Sequence, residues 1–235
     1  MSVLVIVPTY NERESLPQIV PLVMQHDVRL LIVDDASPDG TGEVADRLAK
    51  EYAPRMEVLH RTGRRGLGRS YVDGFRRALR SGADVVVQMD ADLSHDPMYL
   101  PPLVAATEDA DLVVGSRYVR GISVINWPLR RLVLSTMGNR YVRTVTGLPI
   151  RDCTAGFRAW RRRALAALPL DRILSDGYSF QVETLYETVR AGYTVTEVPI
   201  VFVERRDGQS KLSPGVFFES LVMPWRLRLR RLSRT

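Results

Sequence analysis

Residues 85–95, which read Val-Val-Val-Gln-Met-Asp-Ala-Asp-Leu-Ser-His, constrain the fold of this chain more than any other stretch. Residues 85–89 have the apolar, β-branched character of a strand buried on both faces, and the run stops at two carboxylates. We therefore expect Asp90 and Asp92 at the carboxyl end of a strand, where ligands bind in open α/β sheets. Residues two apart on a strand share a face, so both side chains can point into one crevice.

The pair Asp90 and Asp92 is a candidate metal site. Two carboxylates this close repel each other unless a cation lies between them, and Mg²⁺ and Mn²⁺ are cations that prefer oxygen ligands. The alternative is a pair of helix-capping or loop aspartates, since Pro97 follows and proline is typical of a helix start. The Asp-x-Asp pattern alone fits both interpretations.

The composition fits one α/β domain in a reducing compartment. The chain has 235 residues, of which 45% are hydrophobic and 26% charged, enough for one sizeable core. A single cysteine, Cys153, excludes an internal disulfide framework and a cysteine-based metal site. No stretch approaches the ~18 uninterrupted apolar residues of a membrane span, and the N-terminus lacks a signal-peptide pattern. We expect a cytoplasmic protein, peripheral at the cytoplasmic face of the membrane.

The chain is basic, and its cations are almost all arginines. The net charge is +6, and Lys50 and Lys211 are the only lysines among 33 basic residues, so 31 are arginines. Codon usage is the plain explanation; the sharper one is an acidic partner, because arginine binds phosphate in a bidentate manner. A non-catalytic module that binds nucleic acid or anionic lipid would also be basic. It would not explain carboxylates at strand ends, so we expect no nucleic-acid partner.

Apolar runs alternate with helical segments along the first half of the chain. The predicted strands cover residues 3–7, 29–33, 56–60, 85–89 and 111–115, and the predicted helices cover about 14–25, 42–52, 71–79 and 97–106. This alternation predicts parallel strands joined by right-handed crossovers. Three of the strands end in polar loops, which predicts one composite site at the carboxyl edge of the sheet. Gly63, Gly66 and Gly68 form a glycine-rich turn near this site, too weak a signal to assign a phosphate loop.

The second half is less regular. It contains a predicted helix over 127–145, a loop leading into a strand up to residue 160, a helix over 179–191 and a strand over 194–203. Arg205 and Lys211 lie in a charged loop that can close over an anionic ligand. We place a domain over 1–213 and a basic, aromatic-bearing tail over 214–235. The tail is either a helix in the membrane interface or a terminal helix packed on the domain.

Five motifs occur in the order seen in the GT-A-fold, family 2 glycosyltransferases. They are residues 7–12, 33–41, 89–95, 115–118 and 208–212. Over residues 3–213 the chain resembles this family, and within it the polyprenol (dolichol) phosphate mannose synthases. The resemblance implies an α/β, GT-A (Rossmann-like) fold, with a mixed, mainly parallel sheet flanked by helices. It also implies a single domain with C-terminal helices on the acceptor side.

The resemblance implies an activity and its partners. Mannose would move from GDP-mannose onto a polyprenyl monophosphate with inversion, with Mg²⁺ or Mn²⁺ as cofactor. The lipid acceptor would be met at the membrane surface, through the tail or through a separate membrane-anchoring protein. The alternatives are UDP-glucose or UDP-GlcNAc as donor, to a prenyl phosphate or to a hydroxyl.

The resemblance also carries over roles to individual residues. Catalytic roles fall on Asp90, Asp92 and Arg117, with Asp90 and Asp92 as metal ligands. The donor-binding residues are Pro8, Tyr10, Glu12, Val33, Asp35, Asp90, Ala91, Asp92, Arg117, Arg205 and Lys211. The acceptor-phosphate residues are Arg117, Arg131, Ser135 and Arg205.

This chemistry needs no general base. A phosphate monoester has a second pKa near ~6, so the acceptor is largely dianionic at pH 7 and can attack without losing a proton to the protein. We therefore predict that none of His26, His60 and His95 is a catalytic base. A hydroxyl acceptor, by contrast, would demand one.

Overall fold

The computed structural model describes residues 1–173, 175, 177–203 and 214–232. A seven-stranded sheet with the order β3-β2-β1-β4-β7-β5-β8 forms its centre. The strands are β1 (Val3–Thr9), β2 (Arg29–Asp34), β3 (Met56–His60), β4 (Val85–Gln88), β5 (Leu112–Ser116), β6 (Val124–Ile125), β7 (Arg158–Arg161), β8 (Val195–Pro199) and β9 (Phe202–Val203). The helices are α1 (Leu16–Met24), α2 (Thr41–Glu51), α3 (Leu67–Ser81), α4 (Leu100–Ala105), α5 (Leu129–Thr146), α6 (Arg162–Ala166), α7 (Gly177–Arg190) and α8 (Pro214–Leu232).

The sheet is mixed and mainly parallel, as predicted. Strands β3, β2, β1 and β4 run parallel, β7 is antiparallel to both of its neighbours β4 and β5, and β8 is parallel to β5. The carboxyl ends of β1, β2, β4 and β5 therefore meet at one edge of the sheet. The antiparallel β7 lies between β4 and β5. The Asp-x-Asp turn that follows β4 is therefore separated from the carboxyl end of β5 by the width of one strand.

Two hydrophobic layers cover the two faces of the sheet. Alternate residues of β1 point to opposite layers: Val5 packs with α1, α2 and α4, and Ile6 packs with α3 and α7. All four residues of β4 are buried, which confirms the prediction of a strand buried on both faces. This burial explains why the first three residues of β4 are all valine.

Two predicted elements differ from the structure. The strand predicted over 194–203 is two strands: β8 ends at Pro199, and β9 pairs with β6 in a separate two-stranded sheet. Proline has no N–H to donate to a ladder, which accounts for the break. The helix predicted from residue 127 begins at Leu129, because Pro128 has an extended ψ of 140° and serves as its N-cap.

Helix α8 packs on the domain and also exposes apolar side chains. Met223 and Leu227 are buried in the core, while Trp225 is 52% exposed and Leu229 is 59% exposed. Tyr141 on α5 donates a hydrogen bond to the carbonyl of Leu221 (2.6 Å). The helix therefore packs on the domain, as one of the two alternatives for the tail expected, whereas contact with a membrane and the division at residue 213 stay predictions. In the described part of the chain, no helix is both long and apolar enough to cross a membrane.

Candidate functional site

The Asp-x-Asp turn lies at the carboxyl end of β4 and lines a small cavity. Asp90 and Asp92 both face this acid cavity, which has a volume of about 140 Å³. The helix-capping alternative falls to another residue, because Asp96 accepts the backbone N–H of Met98 (2.9 Å) at the start of the next helical turn. Both carboxylates of the motif are thus directed at the cavity.

Asp92 is held by its own turn. Its Oδ1 accepts hydrogen bonds from the hydroxyl of Ser94 (2.5 Å) and from the backbone N–H of Ser94 (3.1 Å). Leu93, which lies between Asp92 and Ser94, has a φ of +62°. This is the left-handed region, which a bulky residue enters only at a cost of about 1–2 kcal/mol. Strain of this kind persists where the surrounding contacts hold it, so the turn presents Asp92 in one orientation.

Asp90 is held by two residues that we did not predict from the sequence. Tyr71 on α3 donates to Asp90 Oδ1 (3.2 Å), and burial together with the charge of Asp90 holds the pKa of Tyr71 well above its usual value. His95 Nδ1 accepts the backbone N–H of Asp90 (3.1 Å). The imidazole of His95 stacks on Phe157 with 5.0 Å between ring centroids. His95 therefore supports the turn.

Five of the predicted donor-binding residues lie at the ends of β1 and β2. Pro8 on β1 pairs with Val33 on β2 in the parallel register. Tyr10 and Glu12 lie in the loop after β1, and Asp35 follows β2. Asp35 is buried and accepts the backbone N–H of Gly66 (2.8 Å). Glu12 is also buried and accepts the hydroxyl of Ser15 (2.8 Å). Hydrogen bonds within the protein thus hold the carboxylates of Asp35 and Glu12 in place.

The glycine-rich segment after β3 covers this donor end. Arg61 forms a buried ion pair with Asp35. Arg65 donates to the hydroxyl of Tyr10 (2.7 Å), and its guanidinium carbon lies 4.8 Å from the centroid of that ring. Sequence reasoning treated the segment as a turn near the site and missed both arginines. The available signal was the backbone N–H that a glycine-rich turn can offer to a carboxylate, as Gly66 does to Asp35.

Arg117 forms a buried, bidentate ion pair. Its Nε and Nη2 donate to the two oxygens of Asp152 (2.7 and 2.6 Å), and Nη2 also donates to Thr154 (2.9 Å). Burial alone would lower the pKa of Arg117, but the ion pair with Asp152 outweighs it and holds this pKa above its usual value. The guanidinium is therefore permanently charged and fixed, and its Nη1 is not engaged by Asp152 or Thr154.

The structure brings three of the four predicted acceptor-phosphate residues together. The guanidinium carbon of Arg131 on α5 lies 4.5 Å from the ring centroid of Trp127, and that of Arg117 lies 5.4 Å from the same ring. The hydroxyl of Ser135, one turn after Arg131, accepts a hydrogen bond from Tyr118 (2.8 Å). The fourth residue, Arg205, lies outside the described residues, as does the predicted donor-side cation Lys211.

A second, larger cavity opens beside the acid cavity. It has a volume of about 370 Å³ and lies between α5, α7 and α8. Its walls are mostly apolar side chains, which include Leu134, Met137, Val142, Val182, Leu221 and Met223. The two cavities share four lining residues, namely Arg117, Arg131, Thr154 and Tyr178. The guanidinium groups of Arg117 and Arg131 thus lie where the acid cavity meets the apolar groove. Sequence reasoning did not predict this arrangement.

The carboxylates suit a cation that takes part of its coordination from a ligand. In the described ranges, no group of three His, Cys, Asp or Glu side chains is arranged to hold a metal ion. Mg²⁺ typically takes one or two carboxylates and completes its shell with water and substrate phosphates. Asp90 and Asp92 fit such an ion, and they remain the predicted metal residues.

A family model described as "Glycosyl transferase family 2" matches residues 4–168. An undecaprenyl-phosphate mannosyltransferase of Micrococcus luteus is 51% identical over 226 residues, which cover 94% of this chain and 92% of the relative. A polyprenol monophosphomannose synthase of Mycolicibacterium smegmatis is 49% identical over 232 residues, which cover 97% of this chain and 88% of the relative.

Solved structures with the same fold include those of glucosyl-3-phosphoglycerate synthase from Mycobacterium tuberculosis. Its complex with Mn²⁺, UDP-glucose and phosphoglyceric acid matches with a TM-score of 0.67 and 19% identity, over 96% of this chain and 80% of that one. Its complex with Mg²⁺ and UDP matches with a TM-score of 0.65 and 20% identity, over 99% of this chain and 79% of that one. At this identity the match establishes the fold, and the predicted GT-A fold is confirmed.

Proposed function

The chain belongs to the family 2 glycosyltransferases, and on that premise we propose that it transfers mannose from GDP-mannose to a polyprenyl monophosphate. The products are polyprenyl phosphate mannose and GDP, with inversion at the anomeric carbon. The two relatives that share about half of the sequence carry names of this activity, and they support the choice of mannose and of a polyprenyl phosphate acceptor.

The observation that carries the proposal is the junction of the two cavities. An isoprenoid chain is apolar and needs a groove such as the one between α5, α7 and α8. Its phosphate is anionic and needs cations at the end of that groove, where Arg117 and Arg131 stand. The sugar and diphosphate of the donor need the acid cavity on the other side of these arginines.

A divalent cation at Asp90 and Asp92 completes the donor side. Two carboxylates without a third protein ligand suit an ion that also binds substrate phosphates, and GT-A structures containing Mn²⁺ or Mg²⁺ support this assignment. When bound, such an ion stabilises the charge that develops on the departing GDP. We keep Mg²⁺ and Mn²⁺ as alternatives.

The protein's own residues bring the two phosphate groups together. An oxygen of the acceptor phosphate dianion attacks the anomeric carbon of mannose while the bond from that carbon to the GDP oxygen breaks. Arg117 and Arg131 reduce the repulsion between the acceptor phosphate and the donor diphosphate. No proton has to leave the attacking oxygen, so a phosphate acceptor requires no general base, and we keep the prediction that His95 is not one.

The donor end and the choice of nucleotide stay proposals. Pro8, Tyr10, Glu12, Val33 and Asp35 surround the ends of β1 and β2, and we assign the guanosine to this region. The rival donors UDP-glucose and UDP-GlcNAc would occupy the same edge of the sheet. A thermal-shift comparison of GDP with UDP distinguishes them, and a preference for UDP would overturn the GDP-mannose assignment.

The direct test is a transfer assay with purified protein. Labelled GDP-mannose, Mg²⁺ and a short polyprenyl phosphate should give a labelled, organic-soluble product. A matched reaction with the corresponding polyprenol, which carries a hydroxyl in place of the phosphate, should give none. Transfer to the polyprenol would show that the acceptor is a hydroxyl and would contradict the proposed reaction.

Arg131→Ala is expected to raise the KM for polyprenyl phosphate about 10- to 100-fold, the cost of one hydrogen bond to a charged group. The affinity for GDP-mannose should change much less, because Arg131 lies at the groove side of the acid cavity. Arg47→Ala, an exposed arginine on α2 at the opposite face of the sheet, is the control and should leave both values unchanged. Equal losses for donor and acceptor in Arg131→Ala would argue against the assignment.

The same groove opens beside an apolar surface that suits a membrane interface. Leu129, Val133 and Met137 recur every four residues on α5, as do Leu221, Trp225 and Leu229 on α8, and all six are exposed. Exposed arginines accompany them, among them Arg130, Arg140 and Arg226. We propose that this apolar-basic surface holds the protein peripherally at the cytoplasmic face of an anionic membrane, so that the lipid acceptor enters the groove directly.

Trp225→Ser combined with Leu229→Ser is expected to reduce binding to anionic vesicles about tenfold or more, since burying one such side chain contributes about 1.5–3 kcal/mol. Vesicle flotation measures it, and Leu22→Ser on the opposite face is the control. Point substitutions are preferable to deleting residues 223–235, because that deletion removes Met223 and Leu227 from the core. Unchanged flotation of the double variant would contradict the role assigned to this surface, and a wild-type protein that does not float would point to a separate anchoring protein.

A further inference from the structure

Three buried polar side chains lead from the core to the acid cavity, and the proposed mechanism does not use them. The indole Nε1 of Trp160 on β7 donates to Gln88 Oε1 on β4 (2.7 Å). Gln88 Nε2 in turn donates to Gln181 Oε1 on α7 (3.5 Å). Trp160 and Gln88 are completely buried, and Gln181 is 3% exposed.

The chemistry of the indole sets the direction of this chain of hydrogen bonds. An indole N–H can only donate, so the carbonyl of Gln88 has to face Trp160 and its NH₂ group has to face Gln181. Gln181 must then present its carbonyl to Gln88. The NH₂ group of Gln181 therefore faces a partner other than Gln88. This orientation follows from the N–H donor of Trp160 and does not depend on how the amide of Gln181 would be assigned by itself.

The position of Gly156 shows where that NH₂ group lies. A Cβ atom at Gly156 would be 3.6 Å from Gln181 Nε2 and 3.5 Å from Asp90 Oδ2. Gly156 and Asp90 both line the acid cavity. Gln181 Nε2 and Asp90 Oδ2 thus border one small space, which is open because residue 156 has no side chain, and they are at most about 7 Å apart.

A hydroxyl group is the ligand that matches this pair. It can donate to the carboxylate of Asp90 and accept from the amide of Gln181, because an atom at the position of that Cβ is 3.5 Å from the first group and 3.6 Å from the second. A phosphate oxygen only accepts, so the carboxylate would repel it. We infer that Gln181 and Asp90 together bind one hydroxyl of the transferred sugar. This inference rests on the proposed function, because it places the sugar in the acid cavity.

Binding of GDP-mannose and of GDP, each with Mg²⁺, separates this role from a purely structural one. Gln181→Met keeps the size of the side chain and removes the N–H donors, so we expect about tenfold weaker GDP-mannose binding, the effect of one lost hydrogen bond, with GDP binding unchanged. Gln181→Glu should lose more, because it brings a second carboxylate towards Asp90. Gly156→Ala, whose Cβ fills the space in ordinary van der Waals contact with Gln181 and Asp90, should likewise weaken GDP-mannose binding alone.

Deoxy analogues identify the hydroxyl. One of the GDP-deoxymannose analogues lacks the hydroxyl that Gln181 binds. The wild-type protein and Gln181→Met should bind this analogue with equal affinity. Equal effects of Gln181→Met on GDP and GDP-mannose, or no effect on either, would overturn the inference while leaving the proposed function intact. If the wild-type protein binds a different sugar nucleotide and not GDP-mannose, the proposed donor is wrong. The role of Gln181 can then still be tested, by comparing the binding of that sugar nucleotide with the binding of its nucleoside diphosphate. Failure of the wild-type protein to bind any sugar nucleotide would overturn both.

Discussion

Asp92→Asn should reduce mannose transfer by about 10³-fold, the upper end of the loss expected when one group that stabilises a developing charge is removed. The substitution keeps the shape of the side chain and an oxygen that can still accept the hydrogen bonds of Ser94. It removes the negative charge that a divalent cation requires. The turn should therefore stay folded while metal-dependent transfer is lost, which a transfer assay across a Mg²⁺ and Mn²⁺ titration measures.

Asp109→Asn is the matched control for this result, since Asp109 is an exposed aspartate away from the cavity. It should transfer mannose at the wild-type rate. The melting temperature of both variants should stay close to that of the wild-type protein. Metal-dependent turnover of Asp92→Asn near the wild-type level would contradict the role assigned to Asp92.

Asp152→Ala should destabilise the protein by about 3–5 kcal/mol, the cost of leaving one partner of a buried ion pair without its counter-charge. Asp152 is completely buried and accepts the two side-chain hydrogen bonds of Arg117 as well as its backbone N–H (3.0 Å). Urea denaturation measures the change in the free energy of unfolding. The variant should also lose transfer, because the guanidinium of Arg117 is no longer held between the two cavities.

A second substitution separates the stability effect from the catalytic one. Arg117→Met in the Asp152→Ala background removes the uncompensated charge, so it should recover part of the lost stability without recovering transfer. A loss of less than about 1 kcal/mol in Asp152→Ala would place this pair with ordinary surface ion pairs. Recovery of transfer in the double variant would remove Arg117 from the proposed mechanism.

Local patterns of the sequence were sufficient for strands β1 to β5 and for the turn that follows β4. A strand covered on both faces is mostly apolar, which is why residues 85–88, three valines and a glutamine, could be recognised without a structure. The Asp-x-Asp pattern indicated the acid cavity because residues so close along the chain stay close in the fold. The resemblance to family 2 glycosyltransferases is confirmed by the family model and by the relatives.

The residues that sequence reasoning missed are those brought together from distant parts of the chain. Tyr71 reaches Asp90 from α3, and Gln181 approaches Gly156 at the wall of the same cavity from α7. Taken alone, each looks like an ordinary helical residue. Only the antiparallel insertion of β7 between β4 and β5, which sequence patterns predicted as a strand of unknown partners, brings Trp160 next to Gln88.

The amino-acid sequence by itself determined the alternation of strands and helices, the carboxylates at the end of β4 and the family, because these depend on neighbouring residues and on their order. The tertiary structure alone decided that an acid cavity meets an apolar groove at Arg117 and Arg131, and which amide faces Asp90. The physical reason is that a cavity is formed by side chains from several elements. Its shape and charge depend on how those elements pack, and no periodicity along the chain encodes that packing.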